Sequence, residues 1–248
     1  MEISRILSEL SSLMDDELTT EREVEAKLRR AVMRLMAEDK LDAEVGFESI
    51  LEAVKESLFE VPHSITSPHF PERFEMDGVH FYHTHTCKPD ADMIGRAFER
   101  YWKAKEFLEI LPKLGKITDD FFKGYMKKEG VIRRYTKNKH ESFVFYSPMD
   151  DVFEDLKHHL KLAEIHRGRY CVIVPVERSP KNFINFYRKH SEDAKKSGLR
   201  IWVANYKNMT VDPFIGYPKD LSLIRNFKNP RVASMISSFW RSDVREID

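Results

Sequence analysis

Apolar residues recur at Ile3, Ile6, Leu7, Leu10 and Leu13, the rhythm of one helix face, and predict a helix over residues 2–13. A second stripe, Val24, Leu28, Val32, Leu35 and Met36, follows Thr20-Glu21-Arg22-Glu23. That tetrapeptide reads as a capping box in which Thr20 and Glu23 satisfy free N–H groups reciprocally. Phe47, Ile50, Leu51, Val54 and Leu58 predict a third helix over 46–59, and Pro62, Pro68 and Pro71 then break regular structure. The rhythm next changes to that of strands, in Arg73-Phe74-Glu75-Met76 and Val79-His80-Phe81-Tyr82. They flank Asp77-Gly78, a strong short hairpin signal, and predict a hairpin over 73–86.

After Lys88-Pro89, Asp90 or Asp92 caps a long helix reaching about Leu111, where Pro112 and Gly115 end it. Ile117 to Lys128 reads as another helix, closed by Glu129-Gly130. Val131 to Tyr135 and Phe143 to Tyr146 read as short strands around a Lys137-Asn138-Lys139-His140 turn. A helix from Asp151 to His166, with Val152, Leu156, Leu160 and Ala163 inward, leads into the apolar strand Tyr170-Cys171-Val172-Ile173-Val174. Ser179-Pro180 opens a further helix, Gly198 stops it, and Leu199 to Ala204 forms another buried strand before a hairpin at 205–211. Uninterrupted apolar strands joined by helices predict an α/β fold whose mixed or parallel sheet is covered on both faces. The expected organisation is a mainly helical region with a β-hairpin over 1–115, then a β-α-β-α-β region over 116–248.

Charge sharpens that division. The formal net charge is zero, yet residues 1–100 hold 12 Lys+Arg against 22 Asp+Glu, and residues 101–248 hold 29 against 19. An acidic half and a basic half suggest either mutual docking or a polyanion-facing C-terminal region. Two cysteines, Cys87 and Cys171, cannot make a disulfide framework and favour a reducing compartment. The start of the chain is acidic and amphipathic, unlike a signal peptide, and no apolar run approaches the roughly 18 residues of a membrane span. The expectation is a cytoplasmic protein without a membrane partner. The apolar stripes of the helical N-terminus suit a core, a homodimer interface or a contact within a protein complex equally well.

Candidate chemistry begins at His83-Thr84-His85-Thr86-Cys87-Lys88-Pro89-Asp90-Ala91-Asp92. Alternate strand residues share a face, so His83 and His85 suit a divalent metal (Mg, Mn or Zn). Asp90 is a further ligand candidate, and Asp90 or Asp92 a base acting on metal-bound water. Plain helix capping by the two aspartates is the structural alternative. The spacing resembles the His-x-His strand of the polymerase-and-histidinol-phosphatase phosphoesterases and the His-x-His…Pro-Ser-x-x-Asp of the JAMM isopeptidases. The chain has Asp90 where the second pattern has serine, and lacks the later His and Asp motifs of the first.

A second constellation is cationic. Lys127, Lys128, Arg133, Arg134, Lys137 and Lys139 surround a helix end, a glycine and a hairpin, which is similar to the last helix and wing of a winged-helix module. These six would neutralise phosphates of a nucleic acid. An ordinary hairpin with a solvated basic turn is the alternative.

The C-terminal β-α-β-α-β run resembles the latter part of the restriction-endonuclease-like PD-(D/E)XK fold. The resemblance rests on Arg169-Tyr170-Cys171-Val172-Ile173-Val174-Pro175 and Ser197-Gly198-Leu199-Arg200-Ile201-Trp202-Val203 and covers about 70 residues. It implies cleavage of nucleic acid by carboxylates and a lysine around magnesium. Where the acid-x-lysine would fall the chain carries Phe143-Val144-Phe145-Tyr146-Ser147, with neither group. Glu192-Asp193-Ala194-Lys195-Lys196-Ser197-Gly198 also looks like a helix-to-strand step of phospholipase D-like regulators, whose His-x-Lys pair would correspond to His159-Leu160-Lys161. On a helix, His158 and His159 are expected at the surface. The sequence thus points to a nucleic-acid-binding, nuclease-like protein, with a His-x-His metallohydrolase of another substrate and a non-catalytic regulator as the alternatives.

Overall fold

A computed structural model describes residues 2–14, 18–41, 46–60, 72–83, 89–176 and 181–215. It is an α/β protein that divides into two compact units, Met1–Glu109 and Ile110–Asp248.

In the first unit the predicted stripes become α1 (Glu2–Leu13), α2 (Glu21–Ala37) and α3 (Phe47–Lys55), the last continuing into a π-helical turn at Glu56–Glu60. Ile6, Leu10, Val24, Leu28, Met33, Ile50 and Val54 are all buried and give the unit its own apolar core, while Ile3, Leu7 and Met36 of the same stripes are half-buried. Thr20 caps α2 as expected, its Oγ1 accepting from the Glu23 N–H at 3.3 Å. The Glu23 carboxylate turns elsewhere: it is buried and takes Lys27 at 2.9 Å and Arg100 at 2.7 Å. Asp77 and Gly78, both at positive φ (50° and 73°), turn β2 (Glu72–Met76) into β3 (Val79–His83). β1 (Leu18–Thr19) joins the other side of β3. Leu18, Val79, Phe81 and Ala97 form a small core beneath this sheet, with Phe81 stacked on Phe74 and edge-on to Phe98.

The helix expected to stop near Leu111 does not stop there. α4 runs from Ala91 to Phe121, with Pro112 inside it. An internal proline costs about 3 kcal/mol, but Leu114, Ile117, Phe121 and Phe122 keep the helical period beyond it and are buried. At about 1.5–3 kcal/mol for each buried side chain, their packing outweighs the proline. The helix expected to continue to Lys128 is also corrected: Met126–Lys128 is a strand, β4. It pairs antiparallel with β5 (Arg133–Lys137), so the basic segment is a strand meander and not a recognition helix followed by a wing.

The second unit is one six-stranded sheet in the order β4-β5-β6-β7-β8-β9. β6 (His140–Tyr146), β7 (Tyr170–Pro175) and β8 (Arg200–Asn205) are parallel; β4, β5 and β9 (Thr210–Ile215) are antiparallel additions at the two sides. Short α5 (Met149–Glu154) and α6 (Leu156–Ile165) make one crossover, and α7 (Lys181–Ser197) the next. Phe122 stacks on Tyr135 at 4.4 Å between ring centres, and Phe121 meets Trp202 at 5.3 Å, which sets the end of α4 on one sheet face. His159 and His166 of the α6 crossover face Tyr170 on the other. No described helix is long and apolar enough to cross a membrane.

Candidate nucleic-acid interface

Strand parity decides which of the basic side chains share a surface. Lys127 pairs with Tyr135, Tyr135 with Ser142, and Arg133 with Val144. Lys127, Arg133, Tyr135, Lys137 and Tyr146 therefore lie on the face that α4 covers. Lys128 and Arg134 point to the opposite face. β4 is the outermost strand, and Met126, Lys127 and Lys128 are all exposed on it.

On the α4 side a polar network forms around Asp119. The Tyr135 hydroxyl donates to Asp119 Oδ1 at 2.6 Å, and Lys127 Nζ donates to Oδ2 at 2.8 Å. Lys127 also meets Glu129 Oε1 at 2.7 Å, and Arg133 Nε meets Glu129 Oε2 at 2.8 Å. Arg133 donates to the Tyr146 hydroxyl at 3.3 Å and lies over its ring at 5.3 Å. Burial opposes ionisation of Asp119, but the hydrogen bonds from Lys127 and Tyr135 and the charges of Lys127 and Arg133 outweigh it, so its pKa falls below the usual value. The bond to Asp119 raises the pKa of Lys127 in turn. Burial pushes the Tyr135 and Tyr146 hydroxyls up, which keeps them protonated donors at neutral pH. Gly115 is what lets the guanidinium sit so close to α4: a Cβ there would stand 2.6 Å from Arg133 Nη1.

On the opposite face Arg134 and Arg169 converge on Glu141, Arg169 at 3.2 Å from Oε2. The Arg134 bond lowers the Glu141 pKa. Phe143 stacks on the His166 ring at 3.8 Å, and the Arg134 guanidinium lies 5.8 Å from the Phe143 ring centre. Burial pushes His166 below its ordinary pKa, so its ring is neutral at pH 7. At the hairpin tip, Asn138 takes a positive φ of 55° and Lys137 and Lys139 are exposed, with Lys137 Nζ 5.3 Å above the Tyr125 ring.

Of the six basic residues expected at phosphates, Lys127 and Arg133 are thus bound into a carboxylate network, Arg134 shares Glu141, and Lys128, Lys137 and Lys139 are exposed. Asp119, Glu129, Tyr135 and Tyr146 were not legible as a group in the sequence. Only the register of three strands and one helix brings them together.

The metal candidates fall differently. His85 and the His83 side chain lie outside the described residues. Asp90 Oδ1 accepts from the Met93 N–H at 2.8 Å, the cap of α4, and Asp92 is exposed in the first turn. Among the described residues no group of three or more His, Cys, Asp or Glu side chains is arranged to hold a metal ion. The strand where an acid-x-lysine would fall is core: Val144 and Phe145 are buried. The residues there do not fit a magnesium centre.

The surface placement expected of His158 and His159 is overturned: they are 9% and 0% exposed. Asp155 separates α5 from α6, so the inward stripe shifts from 156 and 160 to Asp155, His158, His159 and Leu162. His159 Nδ1 is 2.9 Å from the Tyr170 hydroxyl, a partner that offsets the cost of burying the imidazole.

Residues 5–98 match the model of a domain of unknown function, DUF6846. No curated protein matches the chain. Residues 100–229, more than half of the chain, match the C-terminal domain of another domain of unknown function, DUF6834, and the chain belongs to that family.

Proposed function

We propose that this is a cytoplasmic nucleic-acid-binding protein whose C-terminal unit contacts the phosphate backbone. The observation that carries this is the β4–β5–β6 meander at the sheet edge, with exposed Lys128, Lys137 and Lys139 and with Arg134 beside them. Solvent-exposed lysines neutralise phosphates without reading bases, so binding should be strong at low salt and weakly sequence-dependent. Edge lysines also discourage strand-to-strand aggregation, and that role requires no ligand. A fluorescent oligonucleotide titrated with the full chain separates the two: saturable, salt-sensitive binding supports the proposal, and its absence at low salt rejects it.

The second reading is a non-catalytic regulator or complex subunit built on a nuclease-like β-α-β-α-β run. The observation favouring it over cleavage is the apolar strand Phe143-Val144-Phe145-Tyr146, buried from Val144 onward, where carboxylate and lysine would be needed. Cleavage, or hydrolysis of another substrate, would depend on His83, His85, Asp90 and Asp92. Incubating labelled DNA and RNA with the protein and Mg, Mn or Zn decides it. Intact substrate supports the regulator; cleavage lost in His83→Ala/His85→Ala supports the metal site.

A further inference from the structure

Topology gathers cations at one end of the six-stranded sheet. Because β6, β7 and β8 are parallel, their N-terminal ends lie together. The β6–β7 pairing begins at Phe143 and Tyr170, so His140 to Ser142 and the Asn138-Lys139 turn extend past that end by about 10 Å at 3.4 Å per residue. α6 and α7 run back against the strands and finish at the same end. The α6–β7 turn carries Arg167 and Arg169, and α7 closes with Lys195 and Lys196.

Polar contacts tie the segments of this end together. Arg169 and Arg134 share Glu141, which links the hairpin to the α6–β7 turn, and Arg200 donates to the Gly168 carbonyl, which links that turn to β8. Lys139, Arg167 and Lys196 are exposed. Among the described residues the acids on these segments are Glu141, Glu164, Glu192, which lies 3.8 Å from Lys195, and Asp193. Glu141 is divided between two arginines, so that trio keeps a net positive charge. The C-terminal dipoles of α6 and α7 explain part of the cation preference. They do not explain Lys137 and Lys139, which belong to no helix. Lys127 and Arg133, by contrast, would have to leave Asp119 and Glu129 to reach a phosphate.

We infer, resting on the nucleic-acid reading above, that the phosphate backbone docks across this end of the sheet, on the β5–β6 tip, the α6–β7 turn and the end of α7, with Lys127 and Arg133 serving the fold. Three strand spacings of about 4.8 Å give a row about 14 Å wide. A duplex presents roughly eight phosphate charges over that distance, at about one per 1.7 Å. A row of separated cations is suited to such a regular line of charges.

The test uses the full chain and labelled DNA and RNA duplexes of about 20 base pairs, a length several times the inferred row. One variant carries K137Q/K139Q/R167N/R169Q/K196Q; asparagine at 167 tolerates the positive φ of 51° there. A control carries K113Q/K116Q/K157Q/K161Q, exposed lysines elsewhere in the same unit. The five-site variant should lose at least about 100-fold in affinity and lower the salt slope by about 4, while the control stays within about fivefold of wild type. The double variant K137Q/K139Q, confined to the solvated tip, should lower the slope by about 2 and keeps the test open if the larger variant unfolds. Equal losses in variant and control, or no loss in the variant, overturn the location while leaving nucleic-acid binding intact. A wild-type chain that binds neither duplex rejects the underlying reading. Binding to anionic phosphatidylserine vesicles but to neither duplex overturns both in favour of a lipid surface.

Discussion

Replacing Gly115 by alanine should destabilise the C-terminal unit, although the same change in an ordinary helix interior stabilises by about 1 kcal/mol. The new Cβ would stand 2.6 Å from Arg133 Nη1, 3.0 Å from Nη2 and 3.1 Å from Cζ, so the guanidinium has to move. Moving it clear of the Cβ gives up the bond to the buried Tyr146 hydroxyl, worth about 1.5 kcal/mol, and the cation–π contact with that ring, worth about 0.5–1 kcal/mol. The ion pair to Glu129 adds only about 0.5 kcal/mol, because that carboxylate is 57% exposed. The loss is about 2.5 kcal/mol against a gain of about 1, a net destabilisation of about 1.5 kcal/mol. In an Arg133→Ala background the clash is gone, and Gly115→Ala should then stabilise by about 1 kcal/mol. Urea titration followed by Trp202 fluorescence, with Trp102 and Trp240 replaced by phenylalanine, measures all four corners of the cycle. The wild-type background should lose about 0.7 M in midpoint at a slope near 2 kcal/mol/M. Equal stabilisation by Gly115→Ala in both backgrounds would refute the close approach of Arg133 to α4.

Other consequences are directly measurable. Asp119 has a lowered pKa in the folded state, so its contribution is present above its unfolded value and is lost as pH falls through the folded value. Asp119→Asn should therefore lower stability at pH 7 and flatten the acid limb of a stability–pH curve below about pH 4; an unchanged limb would contradict the network. Tyr170→Phe removes the hydroxyl 2.9 Å from His159 Nδ1 and should cost about 1–2 kcal/mol in a urea titration, and a neutral result would argue against that bond. Arg100→Gln, which loses the 2.7 Å bond to Glu23 and the 2.8 Å bond to the Leu18 carbonyl, should destabilise the N-terminal unit by about 2–3 kcal/mol in thermal unfolding. Cys171 is fully buried and its pKa is pushed up by that burial, so a thiol reagent should label it in a Cys87→Ser chain only on unfolding.

Elements whose apolar period agrees with their neighbours were readable from the sequence. The Thr20 cap, the Asp77-Gly78 turn and the apolar runs of β7 and β8 each had one dominant local cause. Pro112 misled because a local penalty of about 3 kcal/mol was set against burial of Leu114, Ile117 and Phe121, which local sequence does not display. Met126–Lys128 misled for the complementary reason: as an edge strand it buries no side chain, and only pairing to β5 defines it. The break at Asp155 interrupts the stripe through Leu156 and Leu160, and the resulting shift of the inward face puts His159 in the core. The basic segment was visible as charge, but not which charges are spent. Asp119 reaches Lys127 only because α4 continues past Pro112 and ends over β5.

The most direct test of nucleic-acid binding by the C-terminal unit is the dependence of the full chain's duplex affinity on salt. A plot of log K against log salt should be linear with a slope of about −4 to −6, as expected if roughly five to seven exposed cations each neutralise one phosphate. A slope near zero, or no binding at low salt, would contradict a backbone-docking surface on this protein.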